Sequence, residues 1–194
     1  MGYSKTSCTK KIYGTQGEGY QQSKNGSTNQ IYKDQDTNGN MLEMESVFQA
    51  HSAEPAKHFH PLQQEKFTVL EGAITVRLEG ELKNLTGGDQ LTIAPGRVHS
   101  MWNETGSRAV VNWQVFPALD TEYFFEMAMG IAAHQQTNEL GMPGLLQSAL
   151  LANKYSNVFR LARPSFALQQ IVFTILKPFA HLAGYKFYYK EYID

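Results

Sequence analysis

The middle of the chain consists of short apolar or alternating runs separated by turn signals, and this pattern admits few architectures. Apolar and polar residues that alternate with a period of two are typical of a strand with one buried face. The runs are Met41 to Gln49, Glu65 to Leu70, Ala73 to Leu78, Gln90 to Ile93 and Arg108 to Phe116. Turn candidates lie at Glu71-Gly72, Leu78-Glu79-Gly80 and Gly87-Gly88-Asp89. The sequence therefore predicts an all-β unit whose strands are joined by tight hairpins.

The alternation also predicts which side chains face inward. They are Leu42, Met44, Ser46, Phe48, Ile74, Val76, Leu78, Leu91, Ile93 and Met101. A small barrel has room for packed side chains or for one small ligand. The candidates for lining such a pocket are Phe67, Met101, Val111, Trp113 and Val115. If they line it, the pocket is largely apolar and suits a hydrophobic or aromatic molecule; otherwise they only fill the core.

Two histidines precede the second run closely, and a glutamate, Glu65, begins it. His58 and His60 point to one face of a strand, whereas Glu65, five residues after His60, would point away on a continuous strand. Pro61 has no N–H and favours an extended residue before it, so the chain is expected to turn through Pro61 to Gln64. Glu65 then begins the returning strand beside the histidines, with Phe67 and Val69 on its face.

Two longer stretches around these residues resemble the two sequence motifs of the cupin family. The first reads HFHPLQQEKFTVLEG from His58 to Gly72, and the second reads GDQLTIAPGRVHSMWN from Gly88 to Asn103. The chain departs from the motifs at Ala94, where proline is usual, and at Ser52, where glycine is usual. The resemblance covers roughly Asn40 to Phe116.

The resemblance implies a double-stranded β-helix, or jelly-roll, cupin barrel and a metal held by His58, His60, Glu65 and His99. Three imidazoles and one carboxylate suit several divalent transition metals, of which Fe, Mn, Ni and Zn are the candidates here. Four protein ligands leave two positions open on an octahedral ion. The cofactor expected from the sequence is therefore a divalent transition metal.

Cupins with this ligand set include dioxygenases, decarboxylases and isomerases, so the resemblance favours a metal-dependent, dioxygenase-like oxidoreductase acting on a small apolar or aromatic molecule. Glu65 is the candidate catalytic residue, as a base if it leaves the ion. The candidate substrate-binding residues are Phe67, Met101, Trp113, Gln64 and Asn103; Gln64 and Asn103 are equally plausible as turn residues. The alternatives are an isomerase or decarboxylase and a small-molecule binder without catalysis.

The two ends of the chain differ from the middle. Residues 1–39 are expected to form a polar arm, because Gly14 to Gln30 is rich in Gly, Gln, Ser and Asn. Residues 40–117 form the predicted barrel. Residues 118–194 are expected to be helical, with short helices over Tyr123 to Ala133 and Gly144 to Leu151. A third helix should begin at Pro164-Ser165 and be interrupted at Lys177-Pro178. This extension is expected to pack on the barrel or on the partner in a homodimer.

Charge and composition limit the partners of the chain. The 194 residues carry 17 basic and 18 acidic side chains and no basic block, which argues against nucleic acid as a partner. One cysteine and no apolar stretch of signal-peptide length indicate a cytoplasmic protein. Phe166 to Leu176 is too short to span a bilayer, which takes roughly 20 residues. The aromatic, lysine-containing segment GYKFYYKEY leaves interfacial membrane contact as an alternative to protein docking.

Overall fold

The computed structural model describes residues 27–32, 40–133, 143–187 and 189. The strands in chain order are β1 (Ser27–Tyr32), β2 (Leu42–Phe48), β3 (His58–Phe59), β4 (Gln64–Glu71), β5 (Ala73–Leu78), β6 (Glu81–Thr86), β7 (Gln90–Ile93), β8 (His99–Trp102), β9 (Ala109–Phe116) and β10 (Arg160–Leu161). The helices are α1 (Thr121–Ala133), α2 (Leu145–Lys154) and α3 (Phe166–Leu182). The predicted class, a β unit followed by a helical extension, is confirmed.

The strands form two five-stranded antiparallel sheets that face each other as in a jelly roll. Their orders are β1-β2-β9-β4-β7 and β10-β3-β8-β5-β6. Within the described residues the two sheets remain separate and do not close into a single barrel. The central strand of the first sheet, β9, pairs with β4 over most of its length, from Gln64 opposite Phe116 to Glu71 opposite Val110. This pairing fixes which side chains of β4 point between the sheets.

The core between the sheets follows the predicted alternation. On β4, Glu65, Phe67 and Val69 are buried, while Gln64 and Leu70 are exposed. The residues buried between the sheets are Phe67, Val69, Ile74, Val76, Ile93, Met101, Ala109 and Val111. The expected inward residues Leu42, Met44 and Ser46 are also buried. One face of each main strand therefore supplies the core, as a period of two requires.

Two strands lack the alternation that would reveal them in the sequence. β6 is exposed along almost its whole length, and its pairing with β5 keeps it in the sheet. The two-residue turn before it has Glu79 and Gly80 at φ of 52° and 92°, the positive values that favour a tight hairpin. All four residues of β8 are buried, because the sheet is covered on both faces there. Sequence alternation detects half-buried strands and misses both of these cases.

Part of the predicted arm is a strand. Ser27–Tyr32 pairs antiparallel with β2, from Ser27 opposite Phe48 to Tyr32 opposite Glu43. The rest of the arm, with Cys8, lies outside the described residues, as do His134 and most of the closing aromatic segment beyond Phe187. The division at residues 39 and 117 stays a prediction.

The third helix begins where predicted but does not end at the proline. Ser165 precedes α3, which runs through Pro178 to Leu182. The expected interruption at Lys177-Pro178 is therefore wrong. Proline removes one helical hydrogen bond, but Phe173 and Ala180 are buried on the two sides of it, so one packed face continues through the proline. None of the described helices is long and apolar enough to cross a membrane.

The turn between β4 and β5 depends on a glycine that no other residue can replace without strain. Gly72 has φ of +74°, and a Cβ there would lie 2.5 Å from the carbonyl oxygen of Arg108. Gly80 has φ of +92° with nothing within 4 Å of such a Cβ. Among the described glycines, only Gly72 therefore combines an unfavourable φ with a close backbone contact.

We expect Gly80→Ala to lower the free energy of unfolding by about 1 to 2 kcal/mol, the cost of a positive φ. Gly72→Ala should lower it by roughly 1 to 3 kcal/mol more, because the backbone must move to admit the methyl group. Urea denaturation followed by tryptophan fluorescence measures both variants against the unchanged protein. Equal losses in the two variants would show that the contact with Arg108 has no energetic effect.

Candidate metal centre

Four side chains from both sheets converge on one point. His58 on β3 lies directly opposite His99 on β8, and His60 follows β3 by one residue. Glu65 comes from β4 in the facing sheet. The ligand nitrogens of the three histidines lie within 4.8 Å of one another. Oε1 of Glu65 is 3.2 Å from Nε2 of His60, and Oε2 is 3.0 Å from Nε2 of His99.

The turn that brings Glu65 back to the histidines is fastened from both sides. It lies between His60 and the start of β4, as Pro61 predicts. Gly96 donates its backbone N–H to the carbonyl of His60 at 2.8 Å. The buried amide of Gln63 lies 2.8 Å from the Pro117 carbonyl and 2.7 Å from Oγ1 of Thr121. The turn between His60 and Glu65 is thereby tied to the start of the helical extension.

All three histidines are oriented by backbone carbonyls. Nδ1 of His58, His60 and His99 lies 2.9, 2.7 and 3.0 Å from the carbonyl oxygens of Ala56, Val158 and Arg97. A carbonyl oxygen only accepts, so each Nδ1 carries a proton, and Nε2 of each neutral imidazole keeps its lone pair. Bonds of this kind fix the ring and the tautomer of metal-binding histidines.

Burial and the mutual charges set the protonation of the centre. Burial lowers the pKa of His58 to about 3. Burial also lowers the pKa of His60, and this outweighs the opposing charge of Glu65. Burial opposes ionisation of Glu65, but the neighbouring imidazoles outweigh it and lower its pKa. Burial would lower the pKa of His99, but its contact with Glu65 raises it. At neutral pH the centre holds an ionised carboxylate and neutral His58 and His60.

The donor set fits a divalent transition metal. Both oxygens of Glu65 and Nε2 of His60 are buried, and none has a partner of hydrogen-bond geometry among the described residues. The short contacts between the Glu65 oxygens and the imidazole nitrogens bring hydrogen-bond acceptors together. Such an arrangement is unfavourable without a cation or a proton between them. Nitrogen and oxygen ligands of this kind suit Fe, Mn, Ni and Zn alike. The residues therefore fit the metal that the sequence predicts, without selecting one.

A cavity of about 180 Å³ opens beside the histidines. Phe67, Met101, Val111 and Trp113 line it, as do His58, His60 and His99. Val115 instead packs with Leu42 and Met44 in a separate cluster. The cavity is narrow, and its wall is mostly aromatic and aliphatic.

The structure does not bring Gln64 and Asn103 into this cavity. Gln64 is exposed at the start of β4. The side chain of Asn103 is buried, but its amide donates to the Ser107 carbonyl at 2.7 Å and its oxygen accepts from the Thr105 N–H at 2.8 Å. Asn103 thus shapes its own turn, which is the other role the sequence left open for it.

The helical extension contributes three phenylalanines that sequence reasoning missed. Phe159 stacks on His58 with ring centroids 4.7 Å apart, and Phe124 stacks on Phe159 at 5.2 Å. Phe125 meets Trp113 edge to face at 5.3 Å. All three line the cavity. Their aromatic character was visible in the sequence, but nothing local shows that a distant helix covers a metal centre.

A salt bridge holds the loop that closes the other side of the cavity. Arg77 binds Glu54 through Nε at 2.9 Å and Nη2 at 3.1 Å, and the Ser100 hydroxyl donates to the same carboxylate at 2.7 Å. The neighbouring residues Ser52, Ala53 and Pro55 line the cavity. The loop between β2 and β3 is thereby anchored to the sheet that carries His99.

Comparison with known proteins identifies the β-rich part of the chain. The family model described as a cupin domain matches residues 44–115. A protein of Arthrobotrys oligospora named an oxidoreductase is 40% identical over 55 residues, which is 28% of this chain and 22% of that protein. The chain thus spans about a fifth of the length of that curated relative. Phe124, Phe125 and Phe159 lie outside the matched family segment.

Several solved structures are similar to this chain. KdgF from Halomonas sp. is 20% identical with a TM-score of 0.46, covering 54% of this chain and 91% of that one. An RmlC-like cupin from Shewanella frigidimarina is 18% identical with a TM-score of 0.43, covering 62% and 93%. A Klebsiella pneumoniae protein with a double-stranded β-helix domain is 24% identical with a TM-score of 0.39, covering 42% and 70%.

The half-buried His58, whose imidazole is desolvated at the centre, should make the metal-depleted protein sensitive to acid. Its pKa is about 3 in the folded state against an ordinary 6.5, so its contribution to stability is complete above about pH 6.5 and is lost as the pH falls toward 3. In urea denaturation at a series of pH values, His58→Gln should reduce the slope of unfolding free energy against pH by up to roughly 1.4 kcal/mol per unit. His51→Gln, at an exposed histidine, is the control. Parallel profiles for all three proteins would contradict the prediction.

Proposed function

Since residues 44–115 form a cupin domain, we propose that the chain is a metal-dependent oxidoreductase, dioxygenase-like in its chemistry, acting on a small apolar or aromatic molecule. The observation that carries the proposal is the set of Nε2 lone pairs and one ionised carboxylate beside an aromatic cavity. The relative named an oxidoreductase supports the same class. The fold by itself would leave the reaction open.

In this proposal His58, His60, His99 and Glu65 hold the metal. The bound ion supplies Lewis acidity and a site for dioxygen or for an oxygen of the substrate. The carbonyls of Ala56, Val158 and Arg97 keep each Nε2 aimed at the centre, which limits reorganisation during reaction.

The cavity wall decides what reaches the centre. The stacked rings of Phe124 and Phe159, with Trp113 opposite Phe125, favour a flat apolar substrate and exclude bulk water. In the metal-bound form Glu65 is a ligand by default. That Glu65 acts as a base after it leaves the ion stays a prediction.

The first test joins metal content to oxygen uptake. Untagged protein analysed by inductively coupled plasma mass spectrometry should carry close to one metal per chain, and His58→Ala and His99→Ala should lose it at least tenfold. His51→Ala should keep it, because His51 is exposed and lies outside the centre. The same proteins are then assayed with an oxygen electrode against single-ring enols and catechols and against flavonol-like aromatics. Oxygen uptake should follow the metal through the series.

Labelled dioxygen separates the reaction classes, because a dioxygenase places both oxygen atoms in product. Full metal content in His99→Ala would overturn the assigned ligands. A metal-loaded protein without oxygen uptake would leave two alternatives, an isomerase or decarboxylase and a non-catalytic binder. Screens with carbonyl and carboxylate substrates would then distinguish between them. The inductively coupled plasma mass spectrometry measurement also identifies the metal.

We also propose that α3 mediates a homodimer. Residues three and four apart form a stripe of large apolar side chains on its outer face, and they are Leu168, Ile171, Ile175, Phe179 and Leu182, all exposed. The buried face, with Gln169, Phe173 and Ala180, is separate. An uncharged apolar stripe is complementary to itself under a two-fold axis, and its exposure is unusual for a monomer.

The cytoplasmic location expected from the sequence stays a prediction.

Size-exclusion chromatography with light scattering should give a dimer for the unchanged protein and a monomer for Ile175→Asp. Thr174→Asp, one residue away on the polar side of the same helix, should remain a dimer. A monomeric unchanged protein would overturn the dimer. If that monomer cosediments with phosphatidylserine vesicles, the stripe is a membrane contact instead.

A further inference from the structure

Besides Nε2 of His60 at the metal centre, two polar atoms of the described cavity wall have no hydrogen-bond partner. Ser46 and Trp113 both line the cavity, and Oγ of Ser46 and Nε1 of Trp113 are buried without a hydrogen-bond partner among the described residues. Ser52, another serine of the wall, differs because its Oγ accepts from the Asn103 N–H at 2.8 Å. The Ser46 hydroxyl and the Trp113 N–H are thus unused donors at an otherwise apolar surface.

The two residues are neighbours on paired strands. Ser46 of β2 lies opposite Val111 of β9, and Met44 lies opposite Trp113. Ser46 and Trp113 are therefore diagonal partners on one face, at a separation of roughly 7 to 8 Å that aromatic side chains can bridge. Their sheet faces the one that carries His58 and His99. A ligand between the sheets meets imidazoles on one side and these donors on the other.

Packing alone does not account for these atoms. Buried donors are nearly always paired, because an unpaired donor loses its hydrogen bonds to water without compensation. Alanine and phenylalanine would fill the same places without that loss. Trp113 is held by ring contacts to Phe67 and Phe125, each at 5.3 Å, which do not involve a hydrogen bond of its indole nitrogen.

The cavity also limits the ligand that could use the donors. Its volume of about 180 Å³ is close to that of cavities of about 150 Å³ that bind benzene, so it suits one ring with a small substituent. No lysine or arginine lines the described cavity, which makes a charged carboxylate beside Ser46 costly. A carbonyl oxygen has two lone pairs and can accept from two donors.

We propose that the Ser46 hydroxyl and the Trp113 indole N–H form a polar anchor that binds a neutral carbonyl-type oxygen of the ligand. The ligand is then a single-ring apolar molecule with one such acceptor, held between the anchor and the histidines. This assignment rests on the proposed function in one respect: the ligand of the cavity is taken to be the substrate.

Two probes of nearly equal shape test the anchor. Acetophenone carries a carbonyl where α-methylstyrene carries a methylene group, so only the first offers an acceptor. Isothermal titration calorimetry on the protein as purified, at pH 8, should show acetophenone binding about tenfold more tightly. Ser46→Ala and Trp113→Phe should each weaken acetophenone and leave α-methylstyrene nearly unchanged. The double variant should bring the ratio of the two affinities to about one.

Two further variants separate the anchor from general packing. Ser46→Thr keeps the hydroxyl and should keep most of the preference for acetophenone. Phe67→Leu changes the wall without removing a polar atom, so it should weaken both probes alike and preserve their ratio. If Trp113→Phe does not fold, the Ser46 pair of variants still decides the result.

Equal affinities in the unchanged protein, or failure of both probes to bind, would overturn the anchor. A preference that survives in the double variant would also overturn it, because the carbonyl then binds elsewhere, for instance at a metal. Oxygen uptake in a protein without the preference would remove the anchor and retain the proposed function. The preference without oxygen uptake would support the anchor and count against the function.

Discussion

The ionised carboxylate of Glu65 is buried between two β-sheets, and much of the surrounding structure compensates for that charge. Its oxygens lie 3.0 and 3.2 Å from imidazole nitrogens of His99 and His60, yet neither has a partner of hydrogen-bond geometry among the described residues. A charge in such a place needs a cation or a shared proton. The three histidines, each fixed through Nδ1, would provide the other ligands of such a cation.

The centre is completed by residues outside the cupin domain. The carbonyl of Val158 orients His60, Phe159 stacks on His58, and β10 pairs with β3 beside them. Gln63 links the turn between His60 and Glu65 to Pro117, before α1. The helical extension therefore acts as a cover and as part of the support for the ligands. In the proposed function, substrate choice depends on this extension, while the β-sheets carry the side chains that hold the metal.

Local pattern predicted much of this arrangement because strands with one buried face repeat every two residues. The alternation of Glu65, Phe67 and Val69 and the turn at Pro61 followed from that period and from the chemistry of proline. The alternation does not predict β6, because β6 is exposed and held in the sheet by pairing with β5. It does not predict β8 either, because all four residues of β8 are buried. The sequence predicts an interruption at Lys177-Pro178, whereas packing of Phe173 and Ala180 continues α3 past the proline.

The sequence by itself determined the β unit, its hairpins and the turn that returns Glu65 to His58 and His60, since these depend on residue type and short spacing. His99 joins this set only through the resemblance to the second cupin motif. Only the tertiary structure decided that Asn103 serves its own turn, that Gln64 faces solvent and that Val115 belongs to another cluster. It also placed Phe159 against His58 with Phe124 stacked behind it, and left Ser46 and Trp113 with unused donors. Contacts between residues tens of positions apart depend on how sheets and helices pack, and no local pattern encodes that packing.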